Sequence, residues 1–258
     1  MKTSSSAHIL HTADAVLSRR EFPTWLLLAF AAGSVNAAAF VICERFITHM
    51  TGIVTMVGID AGLWWLMTEY ILVLAAFIVG AMASVIPLQG RALRGKPPRH
   101  AAPLWTVSAI LLGVAVAGQF GVFGPLGNTI EESRDFAFLA IVAFSMGLLN
   151  ASVGSTTAVA VRTTHMTGPA TDFGVLLATA GFALGDERRR TLALALLRGG
   201  KIAAFACGAA MMIPVARTLG FAAFAVPALL VVAATVRSYL PHLSSSPILV
   251  ASPQAERS

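Results

Sequence analysis

The segment THMTGIVTMVG at residues 48–58 returns as THMTGPATDFG at residues 164–174, with seven of the eleven positions identical. Two further matches flank it in the same order. Upstream, Gly33-Ser34-Val35-Asn36-Ala37 pairs with Gly147-Leu148-Leu149-Asn150-Ala151. Downstream, Ala75-Ala76-Phe77-Ile78-Val79-Gly80-Ala81 pairs with Ala203-Ala204-Phe205-Ala206-Cys207-Gly208-Ala209. Three colinear matches indicate a duplicated unit, and an internal repeat constrains the fold more than any local propensity.

Both copies lie in a chain with a mean hydropathy of +0.78, 57% hydrophobic residues and 12% charged ones. A soluble globule of this length would carry about a quarter of its residues charged. The chain therefore reads as an all-α membrane protein whose main partner is the lipid bilayer. With roughly 20 apolar residues per crossing, it has room for about six to eight spans and no soluble domain. A net charge of +6 invites a nucleic-acid reading. The basic residues, however, fall in short segments between apolar runs, which is the footprint of membrane orientation, and no nucleic-acid partner is expected. Cys43 and Cys207 fall outside any metal-ligand spacing and read as small packing residues, so no metal and no cofactor is expected.

Residues 1–22 are expected to form a polar cytoplasmic tail, held inside by Lys2, Arg19 and Arg20. Arg19-Arg20 before an apolar run imitates a twin-arginine export signal. Cleavage behind it would discard Gly33 and Asn36, whose counterparts stand in mid-chain, and that excludes the export reading. Apolar runs at 23–42, 71–88, 104–123, 136–160, 200–216 and 219–237 read as crossings. Arg198-Gly199-Gly200-Lys201 reads as the junction between an interfacial helix from Asp186 and the next span, with both cations reaching for headgroups.

The stretches 51–67 and 167–184, behind the repeated motif, are open to two readings. If both crossed, the basic loop 89–103 would lie opposite the N-terminus, against the positive-inside rule. If both enter and leave by one face, the termini, loop 89–103 and loop 185–190 all become cytoplasmic. Each repeat, 23–125 and 126–240, then holds an odd number of crossings, and the second copy is inserted upside down; residues 241–258 form a C-terminal tail. The expected fold is about six transmembrane helices plus two re-entrant half-helices in an inverted-topology repeat, an arrangement of many transporters.

On this model a short helix starts near Thr51 in one copy and near Thr167 in the other, with both threonines as N-caps and Gly52 and Gly168 allowing close approach. Pro169 suits a helix start, where its missing N–H is no loss. Two helix N-termini meeting near the bilayer centre favour a small solute that is an anion, a carboxylate or a polarised neutral molecule. His49 and His165 precede the starts and are candidates for binding solute or relaying protons. Asn36 and Asn150 lie in apolar helices, where an amide needs partners; the adjoining non-helical segment or the solute would supply them. Asp172, one turn into the second half-helix, is the coupling candidate. Asp60 belongs near the outer interface with an aromatic belt of Trp64, Trp65 and Tyr70, and Glu44 should neutralise Arg45.

The paired THMTG segments, with Gly33–Ala37 and Met146-Gly147-Leu148-Leu149-Asn150-Ala151 before them, resemble the YoaK-like family of bacterial inner-membrane proteins, a domain of unknown function. The resemblance covers roughly residues 23–237. It departs from the family pattern at Asn36, where aspartate is common, and at Ile53, where asparagine commonly follows the threonine and glycine. It implies a bacterial inner-membrane location and this architecture, without a substrate.

The function expected is small-solute translocation with the site at His49, Thr51, Gly52, His165, Thr167 and Gly168, assisted by Asn36 and Asn150. A non-transporting scaffold predicts instead a dry, filled centre, and a membrane-embedded enzyme would use His165 and Asp172. No phosphate-cradling loop, zinc spacing or nucleophile–base–acid arrangement is visible, so no enzymatic activity is expected. Ile53 and Pro169 should face the aqueous pathway. Oligomeric state leaves no mark in the sequence.

Overall fold

The computed structural model describes residues 9–124, 133–158 and 160–240, and every regular element among them is helical. A short α1 (Ala13–Val16) leads into α2 (Phe22–Cys43), which carries Pro23 in its first turn. Then follow α3 (Met50–Ile59) and α4 (Trp64–Val85), the latter extended by a π-helical turn at Ile86–Gly90 and by α5 (Arg91–Leu93). The remainder comprises α6 (Ala102–Gln119), α7 (Ser133–Thr156), α8 (Thr167–Phe182), α9 (Gly185–Leu219), a 3-10 turn at Gly220–Phe224 and α10 (Ala225–Ser238).

Five stretches among the described residues are long and apolar enough to cross a membrane: Phe22–Cys43, Trp64–Leu93, Ala102–Gln119, Phe136–Thr156 and Gly185–Ser238. The last spans 54 residues and contains both α9 and α10, separated where Gly220 adopts φ 56 and ψ −132. That conformation is open only to glycine, and it turns the chain. The outer face of α4 and of the π-helical turn behind it leaves Ile71, Leu72, Ile78, Val79, Met82 and Ile86 uncovered, from 44% to 69% exposed. An apolar surface of this extent belongs in lipid, and the protein is an integral membrane protein.

Side by side, the helices pack in the order α9, α2, α10, α6, α7, α4, with α8 laid on α9 and α3 on α4. The two tightest crossings, α2 with α9 and α4 with α7, are made by glycines. A β-carbon on Gly33 would lie 2.0 Å from the Phe205 carbonyl oxygen, and one on Gly208 would lie 2.1 Å from that of Phe30. In the other crossing Gly147 meets the Phe77 carbonyl and Gly80 that of Phe144, each at 2.0 Å. Backbones this close gain dispersion contact without a hydrophobic drive, which lipid cannot supply.

Two breaks position the half-length helices. The run of α2 stops at Glu44 (φ 54), and that of α7 at Ala158 (φ 48), the two non-glycine residues with positive φ among the described residues. They occupy matching places behind Asn36 and Asn150. Each asparagine then hooks the departing chain. Asn36 Oδ1 accepts from the backbone N–H of Ile47 (3.0 Å) and Thr48 (3.1 Å), and Asn150 Oδ1 accepts from that of Thr164 (3.3 Å). An amide in an apolar helix thereby gains its partners from backbone N–H groups outside the regular helices.

Several expectations need correction. The sequence at 198–201 does not break the helix, and α9 runs unbroken from Gly185 to Leu219. Lys201 is fully buried rather than extended toward headgroups. Tyr70, only 3% exposed, packs edge-on against Phe136 at 5.7 Å, so it does not share the exposed setting of Trp64 and Trp65. Glu44 and Arg45 form no ion pair, and Glu44 adopts a left-handed backbone with its side chain exposed. The described part of the N-terminal tail is docked. Leu10 and His11 donate their N–H groups to the Thr156 carbonyl, both at 2.9 Å; His11 packs between Trp25 and Tyr239, and buried Glu21 accepts from Ser238 Oγ.

Candidate functional site

The breaks behind Asn36 and Asn150 bring the two copies of the motif to one cavity of about 390 Å³. Its walls are Asn36, Thr48, His49, Met50, Thr51 and Phe77 from the first half and Asn150, Thr164, His165, Met166, Thr167 and Phe205 from the second, with Phe46 and Arg162 completing the ring. Laid on the sequence matches, these form seven pairs of corresponding positions. Six pairs keep the same residue. The seventh sets Phe46, stacked on Phe40 at 4.6 Å, opposite Arg162.

Arg162 is the one wall residue with a permanent charge. Its guanidinium donates no hydrogen bond to, and forms no ion pair with, any described residue. The hydroxyls of Thr51 and Thr167 are likewise unengaged among the described residues, although their carbonyls accept from Thr55 (2.9 Å) and Thr171 (3.2 Å). Both threonines belong to the first helical turn, where N–H groups and the positive end of the helix dipole concentrate. Arg162 and the two helix starts thus give the cavity positive character, and an anion or a strongly polarised solute complements it.

The helix starts differ from expectation. Thr51 and Thr167 are not the N-caps: α3 is capped at His49 and α8 at Met166, and neither threonine makes a capping bond. The histidines take that place. His165 Nε2 accepts from the Gly168 N–H at 3.2 Å, and the His49 ring rests on Gly52. A β-carbon on Gly52 would come within 2.6 Å of His49 Nδ1, and one on Gly168 within 2.8 Å of His165 Nε2. Gly52 and Gly168 therefore seat the imidazoles and do not line the cavity themselves.

Asp172 stands outside the central cavity, with its carboxylate 3.3 Å from Arg198 Nε. Arg198 Nη1 also donates to the Ala160 carbonyl at 2.5 Å, so one side chain ties α8 and the segment before it to α9. Ile53 and Pro169 are buried, and neither lines the central cavity. The sequence reading missed Arg162, and it missed Phe77 and Phe205 as wall residues. The phenylalanines were in view, since they sit inside the downstream match. Arg162 carried no signal of its own, because its counterpart is Phe46.

A family model described as a protein of unknown function, DUF1275, matches residues 24–237, the whole helical bundle. The chain belongs to the DUF1275 family. No curated protein and no solved structure matches it. Both copies of the motif and the residues around the central cavity lie within the matched span.

Proposed function

We propose that this DUF1275 protein moves a small anionic or polarised solute across the bacterial inner membrane, binding it in the cavity between the starts of α3 and α8. The observation that carries the reading is the composition of that cavity: corresponding residues of two sequence copies, meeting around unpartnered donors and Arg162. A packing role alone gives no reason for these matched residues to line one open pocket of about 390 Å³.

The architecture that goes with this function is an inverted-topology repeat, with repeats at 23–125 and 126–240, six crossings and two re-entrant half-helices. Lengths favour it. At about 1.5 Å per residue, the 10 residues of α3 and the 16 of α8 fall short of a hydrocarbon core of about 30 Å. Division of the 54-residue stretch at Gly220 gives the sixth crossing. The basic loops then place both termini in the cytoplasm, in keeping with the resemblance to the YoaK-like group. Asp172, held by Arg198 at the base of α8, is the group that couples movement of the half-helix to protonation or a cation.

The test is uptake into proteoliposomes containing the purified protein, screened over inorganic anions and short mono- and dicarboxylates. A saturable uptake that Arg162→Gln removes supports the reading. Uptake that is indifferent to Arg162, or absent across the panel, refutes it.

A further inference from the structure

A second cavity, of about 440 Å³, lies beside the first. It has the volume of sites that bury most of a small ligand, about 300–1,000 Å³. Phe46 and His49 stand between the two and line both. The far walls of the second are apolar: Ile53 and Met56 from α3, Val73 from α4 and Leu139 from α7. Besides Glu44 and Thr55, its polar lining holds Arg45 and Tyr70. Both present a buried donor, Arg45 Nε and the Tyr70 hydroxyl, that has no hydrogen-bond partner among the described residues. Buried donors are nearly always satisfied, and a site that leaves two of them open is short of an acceptor.

The second half of the chain offers a contrast. By the sequence matches Met56 corresponds to Asp172, Tyr70 to Arg198 and Val73 to Lys201, so the Asp172–Arg198 pair, 3.3 Å apart, is replaced in the first half by an uncharged methionine and tyrosine. Arg45 has no charged counterpart, since its match is Val161. Glu44, exposed at the rim, also lines the cavity but forms no ion pair with Arg45. Arg45 therefore stands without a carboxylate partner among the described residues, beside apolar walls.

We propose that this lateral cavity binds a single-chain carboxylate amphiphile of the fatty-acid type. Its carboxylate accepts from Arg45 and Tyr70 and its chain lies along Ile53, Met56 and Val73. The donors and the apolar walls together select this ligand: a neutral lipid tail leaves both donors unmet, and a small hydrophilic anion leaves the apolar walls uncovered. The site is a binding site whether or not the central cavity conducts a solute.

The experiment is saturation binding of radiolabelled decanoate to the full-length protein in lipid nanodiscs, with decanol as competitor. Saturable binding that decanol does not displace is expected, weakened roughly tenfold by Arg45→Gln and by Tyr70→Phe, each of which removes one donor to a charged acceptor. Ile53→Trp, which fills the apolar end, should abolish it, and Arg162→Gln should leave it unchanged. Absence of saturable binding, or affinity unaltered in both donor variants, overturns the proposal. Loss in Arg162→Gln alone overturns it too, by placing the carboxylate in the central cavity, and leaves the translocation reading standing.

Discussion

Gly33 of α2 lies directly on the backbone of Phe205 in α9, where a β-carbon would sit 2.0 Å from the carbonyl oxygen. Gly147 bears the same relation to Phe77, and the two phenylalanines each lend a side chain to the central cavity. The helix crossings and the cavity walls are thus built from the same few residues. Gly33→Ala and Gly147→Ala are expected to lose about 1–3 kcal/mol of stability, because backbone must move to admit the methyl group. Gly58 and Gly113 have nothing within 4 Å of a β-carbon, so alanine there should stabilise by up to about 1 kcal/mol. Thermal unfolding of the four variants in one detergent separates these outcomes.

Capping by His165 gives a second prediction. Its Nε2 meets the Gly168 N–H at 3.2 Å, satisfying one of the orphan donors of α8. His165→Ala should cost about 1 kcal/mol, and His165→Asn should recover part of it, since a short side-chain acceptor also suits a helix start. Equal losses for both would show that the ring contributes by packing and not by its hydrogen bond.

Much of this arrangement was legible in the sequence. The repeat identified Asn36, His49, Thr51, Asn150, His165 and Thr167, and all six line one cavity, because a duplicated motif at a helix break is placed by the break rather than by its own propensity. The caps were misread because threonine is a stronger general cap than histidine or methionine, while here α3 has its cap at His49, two residues before Thr51, and α8 begins at Thr167 itself with its cap at Met166. Arg162 stayed hidden because it departs from the repeat. The continuity of α9 through Arg198-Gly199-Gly200-Lys201 depends on tertiary partners that no local pattern records: Phe173 packs on Gly199, and Asp172 and Ala160 bind Arg198.

Lys201 is fully buried, and its ammonium nitrogen has no hydrogen-bond partner among the described residues. Replacing a buried ionic group by an apolar one of similar volume commonly stabilises by about 1–4 kcal/mol. Lys201→Met should therefore raise the thermal midpoint while reducing uptake, as expected of a group retained for function beside Asp172 and Arg198. A midpoint that falls would mean that Lys201 has partners the static structure lacks.

Tyr239, just past the end of α10, gives a prediction for alkaline pH. Burial holds its hydroxyl well above the ordinary tyrosine range, and the nearby Glu21 carboxylate adds to this, against the Thr156 hydrogen bond, which favours the ionised form. The folded state keeps the proton that an unfolded tyrosine loses at about pH 10. This contribution to stability is complete below about pH 10 and declines as pH rises toward the folded value. Unfolding midpoints recorded from pH 8 to 11 should drop more steeply in the wild type than in Tyr239→Phe; parallel curves would assign the drop to other groups.

The central claim is that the repeated motifs meet at a wet binding site inside the membrane. Its most direct measurement is thiol labelling of Thr51→Cys and Thr167→Cys, each in a protein in which Cys43 and Cys207 have been replaced, using a membrane-impermeant reagent on sealed vesicles of either orientation. Both cysteines are predicted to react, Thr51→Cys more readily from the outside and Thr167→Cys from the cytoplasmic side, and both to be protected by a solute whose uptake needs Arg162. Complete resistance of both from both faces would contradict the account and leave the bundle a dry scaffold.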